Sequence, residues 1–178
     1  MPTITPFLWF DTQAQEAMTF YTSIFKDSRV ISSNPMSVQF ELLGQRFIGL
    51  NAGPHHKFTE AVSFFVEVET QQEVDHYWEA LLAGGGRPDR CGWLKDKFGL
   101  SWQVIPKALP QLVTDPDPAK AKRAMEAMMT MIKIDLAEVQ RAHANGTPEG
   151  TQSISSRLNL QRKSSPLRQI RTQLLRRG

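Results

Sequence analysis

A few small groups of residues carry side chains able to do chemistry. His55 and His56 are adjacent. An imidazole titrates near neutral pH, so a histidine at the rim of a site can serve as general base. Neighbours on an extended chain point to opposite sides, so the pair is badly spaced to grip one ion. An exposed linker is the plainer account of both residues. Cys91 is the one thiol, with Arg87 and Arg90 before it and Lys95 after it. Nearby cations lower a thiol pKa and make it nucleophilic, while a buried cysteine is inert. Trp93 and Trp102 flank Lys95-Asp96-Lys97 and offer an aromatic wall for a planar ligand. Gln103, beside them, both donates and accepts hydrogen bonds. Ordinary core packing accounts for the same tryptophans. The triple glycine Gly84-Gly85-Gly86 follows a helical pattern, where glycine serves as a C-cap. No G-x-G-x-x-G follows a strand, so no dinucleotide fingerprint is present.

These groups need elements to position them. Residues 4–10 are β-prone and bounded by Pro6, which predicts an entry strand. Thr12 stands three before Gln15, a capping-box spacing. Ala14, Ala17, Met18, Tyr21, Ile24 and Phe25 then recur at helical spacing. Residues 29–33, 36–43 and 45–51 read as strands, the last two joined by a turn at Leu43-Gly44-Gln45. The plan then repeats. A strand over 61–69 precedes Thr70 and Glu73, a second capping box. Val74, Tyr77, Trp78, Leu81 and Leu82 form a second helical stripe, and strands follow at about 91–95 and 100–106. The two capping threonines are 58 residues apart. The spacing predicts two βαβββ modules, about 4–53 and 60–106, within a unit of residues 1–110. Residues 111–143 read as a stiff linker and a C-terminal amphipathic helix. Asp117 is its N-cap, Pro118 its first residue, and Met125, Met128, Met129, Ile132, Leu136 and Val139 its apolar stripe.

The chain has 178 residues, of which 40% are hydrophobic and 22% charged. That suffices for a core without a metal or disulfide staple. A single cysteine excludes an internal disulfide framework and fits a reducing cytoplasm. No apolar run reaches membrane-spanning length and no secretory signal is visible, so a cytoplasmic protein is expected. The pI of about 9.2 suggests a basic protein. Residues 144–178 account for that impression, with seven of the 21 Lys and Arg against one acid, Glu149. Residues 1–143 hold 14 bases and 17 acids. A basic tail can contact phosphates. This one is expected as disordered or non-native sequence, and a nucleic-acid partner is not expected.

Several stretches resemble a known family. Phe7-Leu8-Trp9-Phe10-Asp11, Ala17-Met18-Thr19-Phe20-Tyr21 and Asn51-Ala52-Gly53-Pro54 are similar to the PhnB-like branch of the vicinal oxygen chelate superfamily, which includes glyoxalase I, bleomycin-resistance proteins and extradiol dioxygenases. Cys91 to Pro106 resembles the most specific stretch of that branch, and Ala124 to Met129 its C-terminal helix. The branch often carries the label 3-demethylubiquinone-9 3-methyltransferase. The resemblance implies an α+β fold in which two tandem βαβββ modules form a cupped mixed sheet, glyoxalase-like, plus a C-terminal helix. It also implies a homodimer that takes a small organic molecule.

Metal-using members of the superfamily draw His or Glu ligands from four strands. Residues 4–10 offer no such donor. The strand at 45–51 ends in Asn51, the strand at 61–69 offers Ser63, and Gln103 stands where a glutamate would fall. Neutral amides and hydroxyls are poor replacements, so no metal is expected. Trp9, Asn51, Ser63, Trp102 and Gln103 are the expected ligand-binding residues; His55, His56 and Cys91 are candidate rim or reactive residues. No cofactor is expected, and S-adenosylmethionine enters only through the family label. A methyltransferase, a ligand-sequestering protein of the antibiotic-resistance type, and a metal-dependent lyase, isomerase or dioxygenase remain the alternatives.

Overall fold

The computed structural model of the chain describes residues 2–145. Strand β1 (Phe7–Phe10) leads to helix α1 (Ala14–Ile24), then β2 (Ser28–Ser33), β3 (Ser37–Leu42) and β4 (Gln45–Asn51). The plan recurs as β5 (Ser63–Val68), α2 (Gln71–Leu82), β6 (Arg87–Pro88), β7 (Trp93–Lys95) and β8 (Ser101–Pro106). Helices α3 (Ala108–Val113), α4 (Pro118–Met129) and α5 (Leu136–Asn145) follow. The strand orders are β1-β4-β3-β2 and β5-β8-β7-β6. The β1–β4 and β5–β8 pairs are parallel and the others antiparallel, so both sheets are mixed. The α+β class and the tandem βαβββ plan are present, carried by two four-stranded sheets. The predicted basic tail lies almost wholly outside the described residues.

Local chemistry explains most of the boundaries. At α2, Thr70 and Glu73 form the predicted capping box. Gly84 takes a φ of +80° just beyond the helix, a conformation that costs glycine little. At α1 the predicted Thr12–Gln15 box does not form. The Ala14 amide donates instead to Asn51 Oδ1 at 2.8 Å, and Asn51 Nδ2 donates to Gln15 Oε1 at 2.7 Å. The helix start is thus pinned to the end of β4. Gly49 serves close packing within its own sheet, because a Cβ there would meet Val38 Cγ2 of β3 at 2.8 Å.

The predicted single C-terminal helix is interrupted. Asp117 caps α4 as expected, its carboxylate accepting from Ala119 N at 2.9 Å. The helix then stops at Met129, although the apolar periodicity continues. The Cys91 and Gly92 amides donate to the Met131 and Ile132 carbonyls at 2.9 and 2.8 Å, holding that segment out of helical geometry. Asp135 Oδ1 accepts from Glu138 N at 3.0 Å and starts α5. Ile134, fully buried, anchors the break in a small core with Ile105, Leu109, Ala124 and Val139.

The main core lies between the modules. Each sheet turns one face to its helix, and these covered faces pack into one cluster. Phe25 stacks on both Tyr77 of α2 and Trp102 of β8, with ring centroids 5.2 and 5.7 Å apart. At the centre is Asp96, only 3% exposed. Its Oδ2 accepts from Tyr21 Oη at 2.7 Å and Trp102 Nε1 at 2.9 Å. Its Oδ1 accepts from the Phe98 and Leu100 amides at 2.9 and 3.1 Å. Burial raises its pKa, and these four hydrogen bonds oppose the rise. Tyr21 is pushed well above the ordinary phenol value, first by burial and then by the Asp96 charge.

An Asp96→Asn variant sets its amide nitrogen against two donors in either orientation. The expected cost is about 3 kcal/mol in urea unfolding. A carboxyl whose folded pKa exceeds its unfolded value binds its proton more tightly when folded. Its contribution to stability is therefore present at low pH and is lost as pH rises through that raised value. This acid-side step is expected in wild type and absent in Asp96→Asn.

Candidate functional site

Alternate side chains of a strand point to opposite faces. On β1, Leu8 and Phe10 turn into the core, so Phe7 and Trp9 turn outward, with Ile48 and Leu50 of β4 as register partners. On the second sheet, Val66, Trp102 and Val104 turn inward. Ser63, Phe65 and Gln103 share the outward face, and Trp93 of β7 lies opposite Gln103. Phe7 is 57% exposed and Phe65 51%, so each sheet carries an exposed apolar side chain on its outward face, although the C-terminal segment covers the second sheet's face at Ile105.

Two of the predicted ligand residues meet there. Gln103 Nε2 donates to Ser63 Oγ at 2.8 Å across the parallel β5–β8 pair. Beyond that bond the pair keeps a hydroxyl hydrogen and an amide oxygen for other partners. Ser101, next on the same face, has a buried hydroxyl with no hydrogen-bond partner among the described residues. Lys95, its register partner, forms an ion pair with Glu60 and holds that carboxyl below its usual range.

The other predicted residues sit elsewhere. Trp102 is 3% exposed, committed to Asp96 and to rings of Tyr21, Phe25 and Phe64. It neighbours Gln103 in sequence, so alternation alone places the two on opposite faces. Asn51 is occupied by the start of α1 and by Pro35 O at 3.0 Å. Cys91 is half-buried at φ +57°, with Sγ 3.7 Å from Met129 Sδ. His55 is exposed on the inter-module loop. His56 sets its ring edge-on to Trp9 at 4.7 Å.

Trp9 and His56 border a cavity of about 340 Å³ that the sequence reading missed. It lies where the end of β1, the inter-module loop and the β7–β8 turn approach one another. Its other walls include Phe58, Phe98, Lys57 and Arg87. These residues are scattered over 42 positions of chain, from Lys57 to Phe98, and no local spacing links them. A smaller cavity of about 200 Å³ lies between Leu43, Phe47, Phe65 and Trp102.

The donor set does not fit a divalent cation. The outward residues Trp9, Leu50, Ser63 and Gln103 on β1, β4, β5 and β8 offer no imidazole or carboxylate. No three of His, Cys, Asp and Glu converge among the described residues. A nucleotide-type cofactor fits no better. The three strand-to-helix turns, Asp11–Gln13, Glu69–Thr70 and Lys107, contain no glycine. Asn51 and Thr70 already hold amides at the starts of the helices that follow.

Comparison with known proteins gives a consistent result. A family model described as 3-demethylubiquinone-9 3-methyltransferase matches residues 2–105. The chain is similar to the solved PhnB protein of Bacillus cereus, with 32% identity and a TM-score of 0.54 over 59% of this chain and 99% of that one. It also shares its fold with protein PA1353 of Pseudomonas aeruginosa, at 18% identity and a TM-score of 0.50, over 60% of this chain and 98% of that one. A search of curated proteins finds no match.

Asn51→Ala separates a helix clamp from a ligand contact. The expected loss is about 1–2 kcal/mol of stability, typical of a removed cap, with small-molecule affinity unchanged. Equilibrium unfolding and a binding titration on the same variant check it.

Proposed function

The chain belongs to the 3-demethylubiquinone-9 3-methyltransferase family, in the PhnB-like branch of the vicinal oxygen chelate superfamily, and on that premise we propose that it binds a small organic molecule against the open faces of its sheets, with a second copy of the chain closing the site. The observation that carries this reading is the Gln103–Ser63 pair, set on the outward face beside an exposed Phe65. A polar pair among apolar side chains is how small-molecule sites fix orientation while burial supplies affinity.

A second copy supplies the missing cover. Apolar side chains on an open sheet face favour burial. Two open faces per chain allow a twofold pair, the first sheet of each copy lying over the second sheet of the other. Two equivalent sites result, each built from both chains.

The reading is of holding a ligand rather than transforming it. Amide and hydroxyl groups stay neutral across ordinary pH and orient a partner without taking its proton. This favours the sequestering alternative over methyl transfer. We place this activity in the cytoplasm, where the single Cys91 suits a reducing setting. Among the described residues no helix is long and apolar enough to cross a membrane.

Light scattering on the full chain is expected to give a dimer. Phe65→Asp raises the dimer dissociation constant roughly a hundredfold, about 3 kcal/mol. In a thermal-shift series, menadione as a planar quinone probe stabilises wild type, and Gln103→Ala keeps the dimer but loses most of that shift. A monomeric wild type, or a full shift in Gln103→Ala, overturns the reading. Stabilisation by S-adenosylmethionine points instead to methyl transfer, and tight stoichiometric binding of manganese to the metal-dependent alternative.

A further inference from the structure

We propose that the cleft between the two modules of one chain is a second binding site, specific for a small aromatic carboxylate. It is centred on the inter-module loop and the β7–β8 turn rather than on Ser63 and Gln103, and it shares Trp9 with the outward face of the first sheet.

The cavity of about 340 Å³ lies near the bottom of the size range of small-molecule sites, which suits a single ring with one or two substituents. Its walls are aromatic. Phe10 sets its ring edge-to-face with Phe58 and Phe98, at 5.4 and 6.0 Å between centroids. Trp9 lies alongside, its indole fixed by a 2.9 Å bond from Nε1 to Gly53 O. That bond uses the only polar group of the indole, so the ring presents an apolar surface to the cavity. Further aromatic edges remain available for an aromatic guest to pack against.

The charge is lopsided. Lys57, Arg87 and Lys95 line the cavity against one acid, Asp11. Lys95 is taken by Glu60. Lys57 and Arg87 form no ion pair among the described residues, in a chain whose first 143 residues carry more acids than bases. Arg87 is held in place by the β6–β7 pairing, which sets it opposite Lys95. A guanidinium presents a planar fork that matches a carboxylate. A ring among Trp9, Phe58 and Phe98 with its carboxylate on Arg87 satisfies both the apolar walls and the unpaired cation. A bare inorganic anion would satisfy only the second, and a neutral ring only the first.

Benzoate is the probe, titrated into the full chain and followed by two-dimensional NMR, with benzamide and inorganic phosphate as comparison ligands. Benzoate is expected to shift the Trp9 indole signal, assigned with Trp9→Phe, and the amides of Lys57 and Phe58. Benzamide binds about tenfold more weakly, and so does benzoate to Arg87→Gln, the loss of one charge-assisted contact. Lys57→Gln is the second variant should Arg87→Gln melt early. Gln103→Ala leaves benzoate binding unchanged, which separates this site from the sheet-face site. The proposal is overturned if benzamide or phosphate binds as well as benzoate, if both cation variants bind benzoate normally, if the shifts centre on Ser63 and Gln103, or if millimolar benzoate moves no signal.

Discussion

The arrangement of this protein depends on one buried carboxylate. Among the described residues Asp96 forms no ion pair, so its charge is held by donors: a phenol from the first module, an indole from the second, and two amides of its own turn. An ionised group that deep is tolerable only while every one of those donors is in place. The requirement fixes α1 against the β7–β8 turn. It thereby decides that the helix-covered faces of both sheets look toward one another, and that the opposite faces look out. The position of the outward sheet faces follows from where Tyr21 finds its acceptor.

Much of the fold was legible because its local signals agree with its tertiary needs. Thr70 and Glu73, Asp117 and Pro118, and the glycines after α2 each mark a boundary that the structure uses. Elsewhere long-range bonds outrank local ones. Thr12 and Gln15 have the spacing of a cap, yet Asn51, 37 residues beyond Ala14, takes the first free amide of α1. The methionine-rich stripe keeps helical period through Thr130 to Asp135, and only the amides of Cys91 and Gly92 reveal why the chain leaves the helix there. Arg87–Pro88 is two residues long and follows three glycines, too short a strand for any periodicity.

Of the candidate site, residue type and strand position single out Ser63 and Gln103, and the structure joins these two by a hydrogen bond. Trp102 was grouped with Gln103 by chemistry, although their adjacency on a strand forbids a shared face. The cavity beside Trp9 escaped because Lys57, Phe58, Arg87 and Phe98 come from different loops and strands, brought together only when the modules dock.

The contact between Tyr21 and Asp96 runs in one direction only. The corresponding hairpin of the first module turns through Leu43 and Gly44, which offer no acid, and α2 buries Trp78 in the core while its phenol, Tyr77, is only partly buried and stacks on Phe25. Two copies of the first half docked on each other would bury a pair of hydroxyls without an acceptor. Two copies of the second half would bury a pair of carboxylates without their phenols. Homotypic pairing of half-molecules is thus penalised while the correct heterotypic pairing is rewarded, which gives a duplicated chain a means of telling its own halves apart as it folds.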